Sequence, residues 1–113
     1  MFKKIRPTQE DEPIQRFRFL EKEGILEVFV KFPGIEKYLG PQFENVSSFE
    51  GRVLLSEIIL EAFCRVLSRK RAGKYFNEEI DPLMNDMDRL RKKASQSVYD
   101  LIFSADLSKL ISD

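Results

Sequence analysis

The stretch GILEVFVKFPGIEKYLGP, from Gly24 to Pro41, contains the strand and the break that organise this sequence. Apolar residues alternate in the run Ile25 to Phe32, and this period of two predicts a β-strand. Pro33 cannot donate a hydrogen bond to a sheet and Gly34 permits an unusual turn, so the strand is predicted to end there. Residues 35–39 are then expected to form one helical turn, closed by the Gly-Pro pair that follows.

A second strand is predicted directly upstream, in residues 14–20, where Phe17 and Phe19 alternate with arginines. The short connection over residues 21–24 predicts an antiparallel hairpin that spans residues 14–32. A two-stranded hairpin is marginally stable in water, so helices or other strands must cover its apolar face. Residues 1–13 are polar, and they are predicted to be a flexible lead-in to a single domain of residues 14–113.

Two long helices are predicted after the hairpin. Residues 48–72, with Ser47 or Ser48 as the cap, carry a wide apolar face and are expected to be the central core helix. Residues 81–103 follow, and a connector of about ten residues favours an antiparallel pair. A short amphipathic turn is expected near the end, through Leu107 and its apolar neighbours. The predicted fold class is α+β, an antiparallel β-hairpin packed on two long antiparallel α-helices.

Composition excludes several classes of chemistry. The chain has 113 residues, enough for one domain, and its 19 Lys plus Arg balance 19 Asp plus Glu. It contains no histidine, so no imidazole base and no histidine zinc site can form within it. Cys64 is the single cysteine, which excludes an internal disulfide and favours a reducing compartment. We therefore predict a cytoplasmic protein that is not an enzyme, has no cofactor or metal, and does not bind membranes.

The second long helix carries a near-heptad seam. Its apolar residues recur at spacings of three and four, a pattern typical of helix–helix contacts. One interpretation is packing against the first long helix within the chain, and the other is a homodimer or partner interface. The residues predicted for a partner interface are Leu83, Met87, Leu90, Val98, Leu101 and Tyr38. The exposed edge of the hairpin is a further candidate, because two copies can pair edge to edge.

A basic run ends the first long helix. It comprises Arg65, Arg69, Lys70, Arg71 and Lys74, with no acidic residue among them. One interpretation is a patch that contacts the phosphates of nucleic acid. The other is a solvated helix C-terminus, where cations complement the helix dipole. The balanced net charge makes nucleic-acid binding the second of the two interpretations.

The order of features resembles the C-terminal region of some bacterial GHKL-type ATPase proteins. In those chains a strand leads into a His-Pro segment and a Tyr-Leu pair, followed by a core helix and a final long helix. The residues that fit the core-helix pattern are Leu54, Leu55, Glu57, Ile59, Glu61, Ala62 and Arg65. Here Lys31-Phe32-Pro33-Gly34 stands in place of the His-Pro segment. The resemblance covers roughly residues 24–70 and implies an accessory part of a larger assembly, without the nucleotide site or any catalytic residue.

These observations predict a non-catalytic protein–protein interaction or dimerisation module. The expected partner is a protein, either a second copy or a component of a larger assembly. The alternative is a small nucleic-acid-binding regulator that uses the basic run over residues 65–74.

Overall fold

The computed structural model describes residues 2–72, 80–103 and 107–111. Within these ranges it describes the side chains except those of residues 70–72, 80–87, 90, 108 and 110. A small mixed sheet and a set of helices share one apolar core, so the α+β fold class is confirmed.

The sheet has three strands in the order β1-β3-β2. They are β1 (Lys4–Thr8), β2 (Phe17–Leu20) and β3 (Ile25–Phe29). The central strand β3 pairs antiparallel with β2, which confirms the predicted antiparallel pair, although both strands are shorter than the hairpin of residues 14–32. It pairs parallel with β1, with Ile5 opposite Leu26. The sheet is therefore mixed rather than a two-stranded hairpin.

Strand β1 departs from the prediction of a flexible lead-in over residues 1–13. Ile5 is fully buried, and the chain before β2 adds an edge strand to the sheet. The segment is polar because Ile5 is the only apolar residue that β1 itself sends into the core. Parallel pairing of β1 with β3 also needs a long connection, here one that includes β2, so no short turn in the sequence predicts this pairing. The extra strand supplies part of the cover that the hairpin alone would lack.

Strand β3 is buried on both faces. Leu26 and Val28 of the strand, and Val30 directly after it, face the core, as the alternation predicts. The opposite face carries Glu27 and Phe29, and both of these side chains are buried as well. A central strand with a neighbour on each side has little exposed surface, and arginines of the flanking strands extend over its outer face.

The break after β3 forms the predicted helical turn, α1 (Ile35–Leu39). Gly34 precedes it with φ 90°, and Gly40 ends it with φ 84°. Both φ values lie in a region that residues other than glycine rarely adopt, so the two glycines determine where α1 begins and ends. Ile35 and Leu39 are buried and attach this turn to the core.

The first long helix is α2 (Phe49–Ala72), which matches the prediction of residues 48–72 closely. Ser48 is its cap, since the Ser48 Oγ accepts a hydrogen bond from the Gly51 N–H at 3.0 Å. Its core face is formed by a stripe of fully or almost fully buried residues: Leu55, Ile58, Ile59, Ala62 and Val66. The prediction of a central core helix is confirmed.

Two further helices complete the described chain: α3 (Ile80–Ile102) and α4 (Leu107–Ile111). The first of them begins one residue before the predicted Asp81 and packs against α2. Its buried residues in the described part are Ala94, Val98 and Ile102. The short α4 packs against β1 and buries Leu107 in the common core, as the sequence predicts for an amphipathic turn.

Candidate functional site

A groove runs between β2 and α2 and reaches α3. Its volume is about 620 Å³, within the range of ligand-binding clefts. On the sheet side it is lined by consecutive residues from Phe17 to Phe19, so the groove follows the edge of the strand and not only one face. On the helix side it is lined by residues of two turns of α2, from Glu61 to Arg69, and Arg91 approaches it from α3.

The free edge of β2 presents backbone groups to this groove. In an antiparallel pair, opposite residues alternate between hydrogen-bonded and non-hydrogen-bonded positions. The Phe29 N–H donates to the Arg16 carbonyl at 2.8 Å, so position 16 is hydrogen-bonded to β3 and Phe17 and Phe19 are not. Their N–H and C=O groups therefore point away from β3. Within the described ranges, no backbone bond outside the β2–β3 ladder involves them.

A cluster of charged residues ties the strand to the helix wall. Glu61 of α2 accepts hydrogen bonds from Arg16, just before β2, and from Arg65 at 2.6 Å. The Arg65 guanidinium also lies over the Phe17 ring, 4.9 Å from its centroid, in a cation–π contact. Two arginines share one carboxylate here, so this cluster fixes the groove wall and leaves it positively charged.

Two more arginines add positive charge to the groove. Arg69 and Arg91 line it, and neither forms an ion pair with a carboxylate that the structure describes. Cys64 lies in the same wall, where burial raises the pKa of its thiol and the charge of Arg91 partly offsets that rise. The Ser68 hydroxyl is buried there without a hydrogen-bond partner in the described chain. The site is suited to bind an anionic or hydrogen-bonding ligand.

A second carboxylate cluster lies on the outer face of the sheet. Glu27 of β3 accepts bonds from Arg6 at 3.0 Å, Arg18 at 2.7 Å and Thr8 at 3.1 Å. Burial acts to raise the pKa of Glu27, but the hydrogen bonds from Arg18, Arg6 and Thr8 outweigh it and hold that pKa below its ordinary value. These partners come from the two strands that flank β3, so the cluster is a cross-strand clasp that joins all three strands and stabilises the sheet.

An exposed aromatic patch lies at the other end of α2. Phe49 is 69% exposed, and Tyr38 and Phe103 are also exposed. The Phe49 and Phe103 ring centroids lie 6.3 Å apart, and the Arg52 guanidinium covers Phe103 at 5.6 Å. A shallow depression of about 340 Å³ separates Tyr38 from Phe49 and is lined by Val53 and Leu54. We refer to Tyr38, Phe49 and Phe103 as the aromatic patch.

The residues predicted for a partner interface divide into three groups. Tyr38 is exposed and belongs to the aromatic patch. Val98 is buried in the core and Leu101 is half-buried. These two side chains are therefore not exposed as a partner interface requires, because this part of α3 packs against the rest of the chain. Leu83, Met87 and Leu90 lie in α3, but their side chains fall outside those that the structure describes. The sequence indicated neither Phe49 nor Phe103 as exposed.

The predicted nucleic-acid patch is divided in a similar way. Arg65 is engaged with Glu61 and Phe17, while Arg69 is exposed at the groove. Lys70 and Arg71 lie in the last turn of α2, with side chains outside those described, and Lys74 lies outside the described residues. The described part of the run therefore lines one groove rather than a broad cationic surface.

The described part of the chain contains neither a metal-binding cluster nor a helix that could cross a membrane. No group of three or more acidic or cysteine side chains there is arranged to hold a metal ion. No described helix combines the length and apolar character that crossing a membrane would require.

Comparison with known proteins gives no match: no protein-family model, curated protein or solved structure is significantly similar to this chain. The resemblance to GHKL-type ATPase proteins thus stays a prediction.

Proposed function

We propose that this chain is a non-catalytic protein-interaction module that binds an extended segment of a partner in the groove between β2 and α2. The observation that carries the proposal is the edge of β2, where the outward N–H and C=O groups of Phe17 and Phe19 meet the groove. An incoming extended segment would pair with these groups and continue the sheet by one strand. This is the mechanism expected for an edge strand that its own fold leaves uncovered.

The apolar lining of the groove supports the same function. Phe17, Phe19, Ala62 and Val66 border it, and Phe19 is only half-buried. An extended segment places alternate side chains on opposite faces, so every second side chain would pack between Phe19 and α2. Backbone pairing would supply a general contribution to affinity, and these contacts would supply selectivity.

The opposite edge of the sheet is less suited to the same role. In β1, Pro7 has no N–H to donate, and α4 packs against this strand. Helix α2 borders β2 in turn, but the outward positions of β2 keep their N–H groups, so of the two edges in the described sheet we propose β2 as the one that pairs with a partner strand. A second copy of the chain is one occupant that can pair there, which would produce the predicted homodimer.

Two finer features complete the proposal. We propose that α2 and α3 form an antiparallel pair, supported by their mutual packing and by the short connection between Ala72 and Ile80. We also propose a cytoplasmic location, supported by the free, buried thiol of Cys64, which suits a reducing compartment.

The alternative of nucleic-acid binding through the basic run is less favoured. Arg65 is already paired with Glu61 and is less available to a phosphate. The groove also offers apolar side chains and backbone groups that a sugar–phosphate chain does not match. It is retained as an outcome of the experiments below.

The test is selection of linear twelve-residue peptides from a displayed random library, followed by titration of the ¹⁵N-labelled chain with the selected peptides. Strand addition predicts shifts of the Phe17 and Phe19 amide signals and slower hydrogen exchange at both positions. The Glu27 amide, on the central strand, is the internal control because its exchange is already limited by the sheet.

Light scattering at high concentration tests the second copy as the occupant. A dimer with protected Phe17 and Phe19 amides supports strand pairing between copies. A strict monomer for which no peptide is selected would overturn the proposal. So would peptides that bind while leaving both amides unchanged.

A further inference from the structure

The groove has a strong local charge in a chain whose total charges balance. Four arginines line the groove in the described chain: Arg18, Arg65, Arg69 and Arg91. Arg18 is paired with Glu27, and Glu61 pairs with Arg65 and with Arg16 beside the groove. A neutral partner would leave Arg69 and Arg91 without a paired carboxylate among the described side chains. The groove wall therefore selects for negative charge on whatever binds there.

The groove is longer along α2 than along β2. The lining residues of β2, from Phe17 to Phe19, span about 7 Å at the rise of a strand. Along α2, residues 61–69 span about 12 Å at the rise of a helix. Alternate residues of a paired segment lie on one face about 6.6 Å apart, so about two of its side chains would face this length of α2.

We infer that the natural ligand of the groove is an acidic extended peptide segment, with carboxylates at alternate positions that pair with Arg69 and Arg91. This inference rests on the proposed binding of an extended segment and names its chemistry. The carboxylates lie on the α2 side of the new strand, and the backbone of the segment pairs with Phe17 and Phe19.

Carboxylates fit these observations better than nucleic-acid phosphates. A guanidinium binds either group through two parallel hydrogen bonds, so charge alone does not decide. The outward backbone groups at Phe17 and Phe19 alternate donor and acceptor, which another peptide backbone matches and a sugar–phosphate chain does not. The half-buried Phe19 lies on the α2 side of the groove, where the methylene groups of a glutamate side chain can cover it.

The experiment compares three probes at low and moderate salt. The first is an eight-residue peptide with glutamate at alternate positions and valine or threonine between them. The second is the same peptide with glutamine in place of each glutamate. The third is a twelve-residue oligothymidylate. We expect the acidic peptide to bind at least about tenfold more tightly than its glutamine version, since a charge-assisted hydrogen bond contributes that much to an affinity.

Variants of the chain locate the effect. The double change Arg69→Gln and Arg91→Gln is expected to weaken the acidic peptide about tenfold or more and leave the glutamine peptide unchanged. Arg89→Gln is the matched control, because Arg89 is an exposed arginine of α3, the helix that carries Arg91, and does not line the groove. Urea unfolding of each variant confirms that the fold is retained.

The outcomes distinguish failure of the acidic-peptide inference from failure of the proposed strand pairing. Equal binding of the acidic and glutamine peptides, with shifts at Phe17 and Phe19, overturns the inference and leaves the proposed function intact. Tighter binding of the oligothymidylate at Arg69 and Arg91 overturns both in favour of nucleic acid. Binding of none of the three probes overturns the inference, and the library selection then decides the proposed function separately.

Discussion

The Glu27 clasp gives the sharpest prediction for the stability of the sheet. Glutamine at position 27 keeps the size of the side chain and one carbonyl oxygen, but it replaces the other oxygen with an NH₂ group. In the native sheet, one carboxylate oxygen accepts from Arg6 and Thr8 and the other accepts from Arg18. Glu27→Gln therefore sets a donor against a donor on one side of the clasp, whichever way the amide is turned.

The size of the stability loss depends on the hydrogen bonds that Glu27→Gln removes and on how far the two arginines can be hydrated instead. A hydrogen bond to a charged group contributes about 1.5–3 kcal/mol, and a buried ion pair that loses one partner costs about 3–5 kcal/mol. Arg6 and Arg18 are each about half-exposed, so their guanidinium groups can turn toward water and recover part of this loss. We expect Glu27→Gln to lower the free energy of unfolding by about 2 kcal/mol at pH 7.

The dependence on pH has a definite sign. The pKa of Glu27 is lower in the folded chain than its ordinary value of 4.5. A lowered folded pKa contributes stability above the ordinary pKa, and this contribution is lost as the pH falls toward the folded pKa. Glutamine does not titrate. The difference in unfolding free energy between the original chain and Glu27→Gln should therefore narrow as the pH falls below about 4.5.

The assay is urea unfolding followed by far-ultraviolet circular dichroism at pH 7 and at pH 3.5. Glu23→Gln is the control, because Glu23 is an exposed glutamate in the connection between β2 and β3. It should change the unfolding free energy by less than about 0.5 kcal/mol. The reasoning is refuted if Glu27→Gln is as stable as Glu23→Gln at pH 7, or if the difference widens in acid.

Two further predictions concern α2. Gly51→Ala should lower the free energy of unfolding by about 1–2 kcal/mol despite the better helix propensity of alanine. The added Cβ would lie 2.9 Å from the Ser48 Oγ and 3.1 Å from the Tyr38 carbonyl oxygen, and it would also contact the Asn45 carbonyl. A higher midpoint of thermal unfolding for Gly51→Ala would contradict this prediction. Cys64 should react with a disulfide reagent at least roughly tenfold more slowly in the native chain than in urea, because its thiol is buried and its pKa is raised. Equal reaction rates would show that the Cys64 thiol is accessible from the groove.

Local patterns explain what could be predicted from the sequence. Alternating residues, the Pro33-Gly34 break and the serines before α2 act over a few positions, and the elements they predict are present. Strand β1 was not predicted, because its parallel partner lies beyond β2 in the chain and no short turn connects them. Its single buried residue, Ile5, gives no periodicity to detect.

The site was predicted only in part, for the same physical reason. Arg65 and Arg69 were identified from the basic run, and Glu61 precedes Arg65 by one helical turn, a spacing at which ion pairs form. The contact from Arg16 spans 45 positions of sequence, and no local pattern indicates it. Arg91 belongs to another helix, whose approach to the groove depends on how α3 packs against α2.

The positions of the two surfaces on α2 bear on how this molecule would work in an assembly. The aromatic patch begins at Phe49, and the groove is centred near Arg65, about 24 Å farther along the helix at 1.5 Å per residue. Between them lies the stripe that α2 buries in the core, including Ile58 and Ile59. Changes more than about 10 Å apart that share no partner usually act independently. A substitution in the aromatic patch, such as Phe49→Ala, should therefore leave peptide affinity at the groove unchanged, whereas the Arg69→Gln and Arg91→Gln double change should weaken it.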